Sequence, residues 1–289
     1  MIARYLFTMV ITLALPLLSC SSEQIDSNSS QSKFVDSATP QGALPVNTQI
    51  GTDWTLSFSD EFNDERVNFN KWVIKDESRG KRNNLGIAEW FFKPQNVVEE
   101  DGNLVLKVSK VGNDKMYCSS VYSNGKYYMK YGYAEARIKV ADIKKTPLTA
   151  FWLQSSNMQN VDGTGNDGAE IDIFESAYLA EEALSTIHID GYKDYHQEKN
   201  FRYETPGIHE GYHVWGMLWD ENSVKIYYDG ELKAEFDGKW IPKVEEYLYL
   251  STVATFSGEG NFKDLPADSQ LTAAYFDYVR VWTRNNQLM

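Results

Sequence analysis

Alternation of apolar and polar residues with a period of two runs through this chain, and it restricts the fold more than any other feature. In "YAEARIKV", Ala134, Ala136, Ile138 and Val140 alternate with Tyr133, Glu135, Arg137 and Lys139. Side chains of a strand point to opposite faces in turn, so this pattern describes a strand with one buried face. "VKIYYDGELKAEF" reads as a hairpin: Val224, Ile226 and Tyr228 match Leu232, Ala234 and Phe236 across Asp229-Gly230, a pair suited to positive φ. "NLVLKVSK", "TAFWLQSS", "YLYLSTVAT" and "AYFDYVRVW" also read as strands. No stretch carries the period of a long amphipathic helix, and no glycine-rich phosphate loop follows a strand. Many short strands joined by turn residues predict an all-β, antiparallel sandwich. A single sandwich can reach the 289 residues of this chain.

The N-terminus has a different composition. Arg4 followed by "YLFTMVITLALPLL" reads as an export signal over residues 1–20, too short for a confident membrane span. "LLSC" places Cys20 where bacterial lipoprotein signals carry the lipidated cysteine, so Cys20 is the expected lipidation site. The implied location is the outer membrane or surface of a bacterium, or otherwise secretion, with membrane contact only through the lipid. Residues 21–48 are rich in Ser, Gln, Asn, Asp and Pro and predict a flexible linker. One domain, 49–289, follows. The second cysteine, Cys118, lies in an ordinary strand pattern and reads as a small buried residue. A net charge of −13 repels phosphate backbones and argues against nucleic acid as a partner. Aromatic residues are abundant (8 Trp, 18 Tyr, 14 Phe), as suits sheet cores and sites that stack sugar rings. A monomer is expected.

"GAEIDIFES" places Glu170, Asp172 and Glu175 among Ile171, Ile173 and Phe174. On a helix the three acids sit at roughly 0°, 200° and 140° and share no narrow face. On a strand Glu170 and Asp172 point the same way, but the next residue on that face is Phe174. Glu175 joins them only if the strand holds one extra residue, a β-bulge, which re-aims side chains beside active sites. Three clustered carboxylates repel unless a metal, basic partners or shared protons relieve them. Proton sharing suits glycosidic-bond cleavage, in which one carboxylate attacks ionised and another donates a proton; retaining enzymes hold the two about 5–5.5 Å apart. A solvated acidic edge and a divalent-metal site are the competing readings. The apolar flanks offer few further metal ligands.

The same residues resemble the bulged E-x-D-x-x-E signature of glycoside hydrolase family 16. "WTLSFSDEFN", "NVVEEDGNLVLKV", "KYGYAEARIKV", "TAFWLQS", "TIHIDGY", "YHVWGMLWDENSVKIYYDGEL" and "YFDYVRVW" follow in the family's order, over roughly residues 50–284. The resemblance implies a concanavalin A-like β-jelly roll of two curved antiparallel sheets with a concave groove. It implies retaining, endo-acting cleavage of a β-linked polysaccharide, with Glu170 as nucleophile, Asp172 as assisting carboxylate and Glu175 as acid/base. Trp90, Arg137, Trp152 and His188 are implied substrate-binding residues. Burial is the alternative for the two tryptophans, a structural histidine for His188 and an exposed strand charge for Arg137. No cofactor is expected for catalysis. A structural calcium is implied at Glu61, the Gly102 carbonyl and Asp277.

The substrate expected first is a β-1,3- or mixed-linkage β-glucan. However, laminarinases of the family usually show Gly-Glu-Ile-Asp-Ile-Met-Glu, and this chain departs from it. The alternatives are hydrolysis of β-linked galactans (agarose, porphyran, carrageenan or host glycans) and a non-catalytic glycan-binding surface protein. "ESRGKRNN", residues 77–84, offers a basic loop that would suit a sulfated polymer, or a solvated turn.

Overall fold

The structure, a computed structural model, describes residues 33–82, 86–141, 147–176, 181–254 and 262–285. The alternating stretches become two sheets packed face to face. The front sheet runs in the order β12 (Gln197–Glu204), β11 (Glu182–Ile189), β10 (Ala169–Ser176), β9 (Pro147–Ser155), β16 (Glu246–Ala254), β7 (Lys115–Tyr122) and β2 (Val73–Ile74). The back sheet is built around β17 (Ser269–Arg284), which pairs in turn with β6 (Asn103–Val111), β8 (Gly132–Lys139) and β1 (Trp54–Asp60). β8 leads on to β13 (His213–Trp219), β14 (Ser223–Tyr228) and β15 (Glu231–Asp237), while β6 leads to β5 (Val97–Glu100). β7 also pairs with β6 and with β4 (Ile87–Phe92), so it joins the sheets; β3 (Glu77–Arg82) lies beyond β4. These ladders are antiparallel except β4–β7.

The main core lies between the sheets. Ala134, Ala136, Ile138, Trp215 and Met217 line it from behind, and Phe151, Leu153, Ile171, Ile173, Phe174, Leu248 and Leu250 from the front, all fully buried. Burying each large apolar side chain stabilises the fold by about 1.5–3 kcal/mol. Cys118 is also fully buried, in a second apolar cluster with Met116, Val108 and Phe262. The β14–β15 hairpin turns at Asp229 (φ 48°) and Gly230 (φ 83°) as the sequence predicts. Its register differs near the turn. Ile226 pairs with Ala234 but Tyr227 pairs with Leu232, so Lys233 is an extra residue. That bulge turns Leu232 outward, where it is exposed, instead of matching it to Tyr228.

The linker expected over 21–48 is corrected in its second half. From residue 33 onward the chain is docked on the domain. Phe34 packs edge-on against Tyr127, and its carbonyl accepts from the Ser59 amide. Asp36 accepts from the Glu61 amide and lies 3.6 Å from the Lys71 ammonium. The Val46 amide donates to Glu135, and the Trp282 indole donates to the Ala43 carbonyl. Polar composition alone suggested a solvated tether, yet these polar groups find buried partners on the back sheet. The segment thereby covers the polar face of β8: Tyr133 and Glu135, read as its solvent side, are 1% and 0% exposed. Residues 1–32, with the signal and Cys20, lie outside the described residues.

Candidate active site

β10 carries the predicted bulge. Against β9, Asp172 pairs with Trp152 and Phe174 with Phe151, leaving Ile173 as the extra residue. Against β11, Asp172 pairs with Thr186 and Glu175 with Leu184, so Ile173 and Phe174 together oppose Ser185. Ser185 Oγ anchors this distortion by donating to the Ile173 carbonyl at 2.7 Å. Both bulge side chains enter the core, where Phe174 stacks on Trp215 with ring centres 4.0 Å apart. Glu170, Asp172 and Glu175 are left together on the outer face of the front sheet.

Each acid lies in a row of cross-strand neighbours, which share a face. The Glu170 row reads Glu198, His188, Glu170, Gln154, Tyr247. It is knitted by polar contacts: Gln154 Nε2 donates to Glu170 Oε2 at 2.9 Å, and Tyr247 donates to Gln154 Oε1 at 2.7 Å. Tyr192, from the turn after β11, donates a further hydrogen bond to Glu170 Oε2. The Asp172 row reads Thr186, Asp172, Trp152, Tyr249, Tyr122. Its aromatic half forms a stack, Trp152 on Tyr249 at 3.9 Å with planes 3° apart, and Tyr122 following at 5.0 Å. His188 Nε2 bridges the first two rows, 3.2 Å from Asp172 Oδ2 and 3.9 Å from Glu170 Oε1.

Burial and mutual repulsion disfavour ionisation of all three acids. Glu170 is pushed up to about 8, by burial first and by the charge of Asp172 second, against the pull of Tyr192 and His188. Asp172 is driven well above the usual carboxylate range by burial, then by Glu175 and Glu198. Glu175 is raised by burial and Glu198, with His188 opposing. At neutral pH the group therefore retains protons among its members, as coupled carboxylates do. Two donors on one oxygen of Glu170 favour its anion against that burial. Asp172 Oδ2 is buried without a hydrogen bond among the described residues. Such a set offers an ionised carboxylate and a protonated one on the same surface. Behind it, Glu246 is fully buried and neither of its carboxyl oxygens has a hydrogen-bond partner among the described residues.

A family model described as the β-porphyranase A–D, GH16 domain matches residues 54–284. The chain belongs to glycoside hydrolase family 16. Among the relatives of this family 16 hydrolase, β-porphyranase E of Zobellia galactanivorans is 28% identical and aligns over 78% of this chain and 86% of its own length. Glucan endo-1,3-β-glucosidase A1 of Niallia circulans is 26% identical over 78% of this chain, which spans 37% of that protein. The family 16 endo-glucanase of Bacteroides ovatus superposes with a TM-score of 0.64 at 22% identity, covering 78% of this chain and 99% of its own; it shares the jelly-roll fold.

The hydrolase brings Glu170, Asp172, Glu175, Trp152 and His188 to one surface, and places other expected residues elsewhere. Arg137 is corrected: it belongs to β8 of the back sheet, not to the front sheet that carries the acids. There its guanidinium binds Asp277 Oδ2 at 2.6 Å and lies 4.6 Å from the centre of the Tyr212 ring. Trp90 is corrected to a packing residue. It is 8% exposed in the second apolar cluster, edge-on to Phe92 and 5.6 Å from the Arg79 guanidinium. The expected calcium set does not fit a cation as drawn. Both Glu61 oxygens accept from Arg280, at 2.9 and 2.8 Å, and Asp277 is held by Arg137, so neither carboxylate is available. In the basic loop, Arg79 pairs with Glu77 at 3.0 Å, and residues 83 and 84 lie outside the described residues.

Sequence reasoning passed over Gln154, Tyr192, Tyr247 and Tyr249. Gln154 and the two tyrosines carried a usable signal, since each stands two residues from a partner on its own strand face: Gln154 from Trp152, and Tyr247 from Tyr249. Tyr192 carried none, because turns have no periodicity.

Proposed function

We propose that this hydrolase cleaves a β-linked polysaccharide internally with retention of anomeric configuration. The single observation that carries this is the bulge, which aligns three carboxylates across the outer face of the front sheet. Ionised Glu170, oriented by Gln154 and Tyr192, attacks the anomeric carbon and forms a covalent glycosyl ester as the bond to the leaving oxygen breaks. Protonated Glu175 gives its proton to that oxygen. It then takes a proton from water, whose oxygen attacks the anomeric carbon and releases Glu170. Asp172 holds the proton that the crowded group retains, and so limits repulsion as the charge moves between its neighbours. Trp152, with one face covered by Tyr249, offers its other face to a sugar next to the cleavage point.

The substrate we infer is a β-linked galactan of the porphyran kind, which the family model and the porphyranase relative support. A β-1,3-glucan is the second reading, supported by the glucosidase relative. Reducing-end release from porphyran, agarose, carrageenan, laminarin and mixed-linkage glucan tests both. Activity confined to the glucans would overturn the galactan reading, and binding of every polymer without product would overturn the enzymatic one. Glu170→Gln is expected to abolish turnover with the melting temperature preserved, and Glu175→Gln to lose about 10²–10⁴-fold. Retention is checked by NMR of the first anomer released. We also propose export with lipidation at Cys20; Cys20→Ala should move the protein from the membrane fraction to the soluble one.

A further inference from the structure

Two of the four histidines stand side by side beside the three acids, a placement the hydrolytic chemistry does not require. His188 and His196 lie nearly parallel, 20° between planes, with His188 Nδ1 2.9 Å from His196 Nε2. Glu198, two residues further on β12, brings Oε2 to 3.4 Å from the same His188 Nδ1. One ligand atom from each of the three residues lies within 4.8 Å of the other two. Metal–nitrogen bonds of about 2.0–2.1 Å at angles between square and tetrahedral separate neighbouring ligand atoms by about 2.9–3.4 Å. The two closest pairs already stand at those separations.

We propose that His188 Nδ1, His196 Nε2 and Glu198 form a site for a borderline transition-metal cation of the Zn²⁺ class. Two imidazoles and one carboxylate suit zinc and its neighbours and do not suit calcium or magnesium, which take oxygen ligands. Glu198 is about half exposed and opens the site to solvent. Three protein ligands leave a fourth position for water. The opposite side of His188 provides the expected support: its Nε2 lies 3.2 Å from Asp172 Oδ2, and metal-binding histidines commonly present their second nitrogen to a carboxylate. Among the described residues Asp172 Oδ2 has no hydrogen-bond partner, and a ring fixed by metal would align with it.

Calorimetric titration of the tag-free full chain with ZnCl₂ tests the site without any substrate. One ion per chain is expected, with saturable binding lost in His196→Ala and weakened at least about tenfold in Glu198→Gln. Melting without metal verifies that each variant is folded, and either variant alone decides the matter if the other does not fold. Absence of saturable binding to the native chain would overturn the proposal. So would binding that survives His196→Ala but disappears in Glu170→Gln, because the ion would then sit among Glu170, Asp172 and His188 Nε2.

Discussion

Tyr192 and Gln154 converge on a single oxygen of Glu170, the group proposed as nucleophile. A hydrogen bond to a charged group is worth about 1.5–3 kcal/mol, and Tyr192 is half exposed, which favours the lower end. Its loss disfavours the anion and raises the Glu170 pKa further, by about one unit. The native enzyme should therefore show an acid limb of kcat/KM well above the ordinary carboxylate value, toward the 8 to which Glu170 is pushed. In Tyr192→Phe that limb should move up by about one more unit. An acid limb that does not move between the two proteins would remove Tyr192 as a positioning residue. The three acids were legible in the sequence because they break a period of two within an otherwise regular strand. Trp90 and Arg137 were misplaced for the opposite reason. A strand pattern reports which residues share a face, but not which sheet the strand joins or what covers that face.

At the scale of elements, the bulge of β10 is held by what lies beneath it. Phe174 fills the core against Trp215, and Ser185 holds the Ile173 carbonyl. The distortion is therefore a packing feature, and the proposed chemistry depends on it. Phe174→Ala should cost about 3–5 kcal/mol, as for other buried aromatic truncations, and should reduce turnover because β10 relaxes toward strict alternation. Urea denaturation and the hydrolysis rate check the two halves separately. A loss below about 1 kcal/mol would mean that Phe174 does not support the bulge. The extra residue in β10 could be read from the chain, since three acids mark the face. The Lys233 bulge could not, because nothing chemical distinguishes Leu232 in its place from Leu232 in register. Similarly, residues 33–48 resemble a tether in composition; only their partners, Glu61, Lys71, Glu135 and Trp282, show that they are part of the domain.

For the molecule as a whole, buried acids dominate the response to pH. Burial raises Asp60 to about 6, Glu99 and Glu135 to about 7 and Glu170 to about 8, and it drives Asp172 and Glu246 well above their usual range. Each of these groups keeps its proton in the folded chain at a pH where the unfolded chain has released it. The folded state then binds more protons, and stability falls as pH rises from the unfolded carboxylate range near 4 toward the raised values. Asp36 and Glu77 are lowered and act in the opposite direction, but only below that window. Melting temperature should therefore be highest near about pH 5 and decline toward about pH 8. Glu246 isolates one contributor. It is fully buried, its carboxyl oxygens have no hydrogen-bond partner among the described residues, and the charges of Glu170 and Asp172 raise its pKa further. Glu246→Gln keeps the shape and cannot ionise. Each pH unit by which the native glutamic acid holds its proton beyond the unfolded pKa is worth about 1.4 kcal/mol, a penalty absent in the variant. The stability of Glu246→Gln relative to the native protein should thus rise steadily between about pH 5 and pH 8. Parallel melting curves for the two proteins across that range would show that Glu246 ionises without cost, and that its carboxyl group is not confined to the dry interior in which the fold places it.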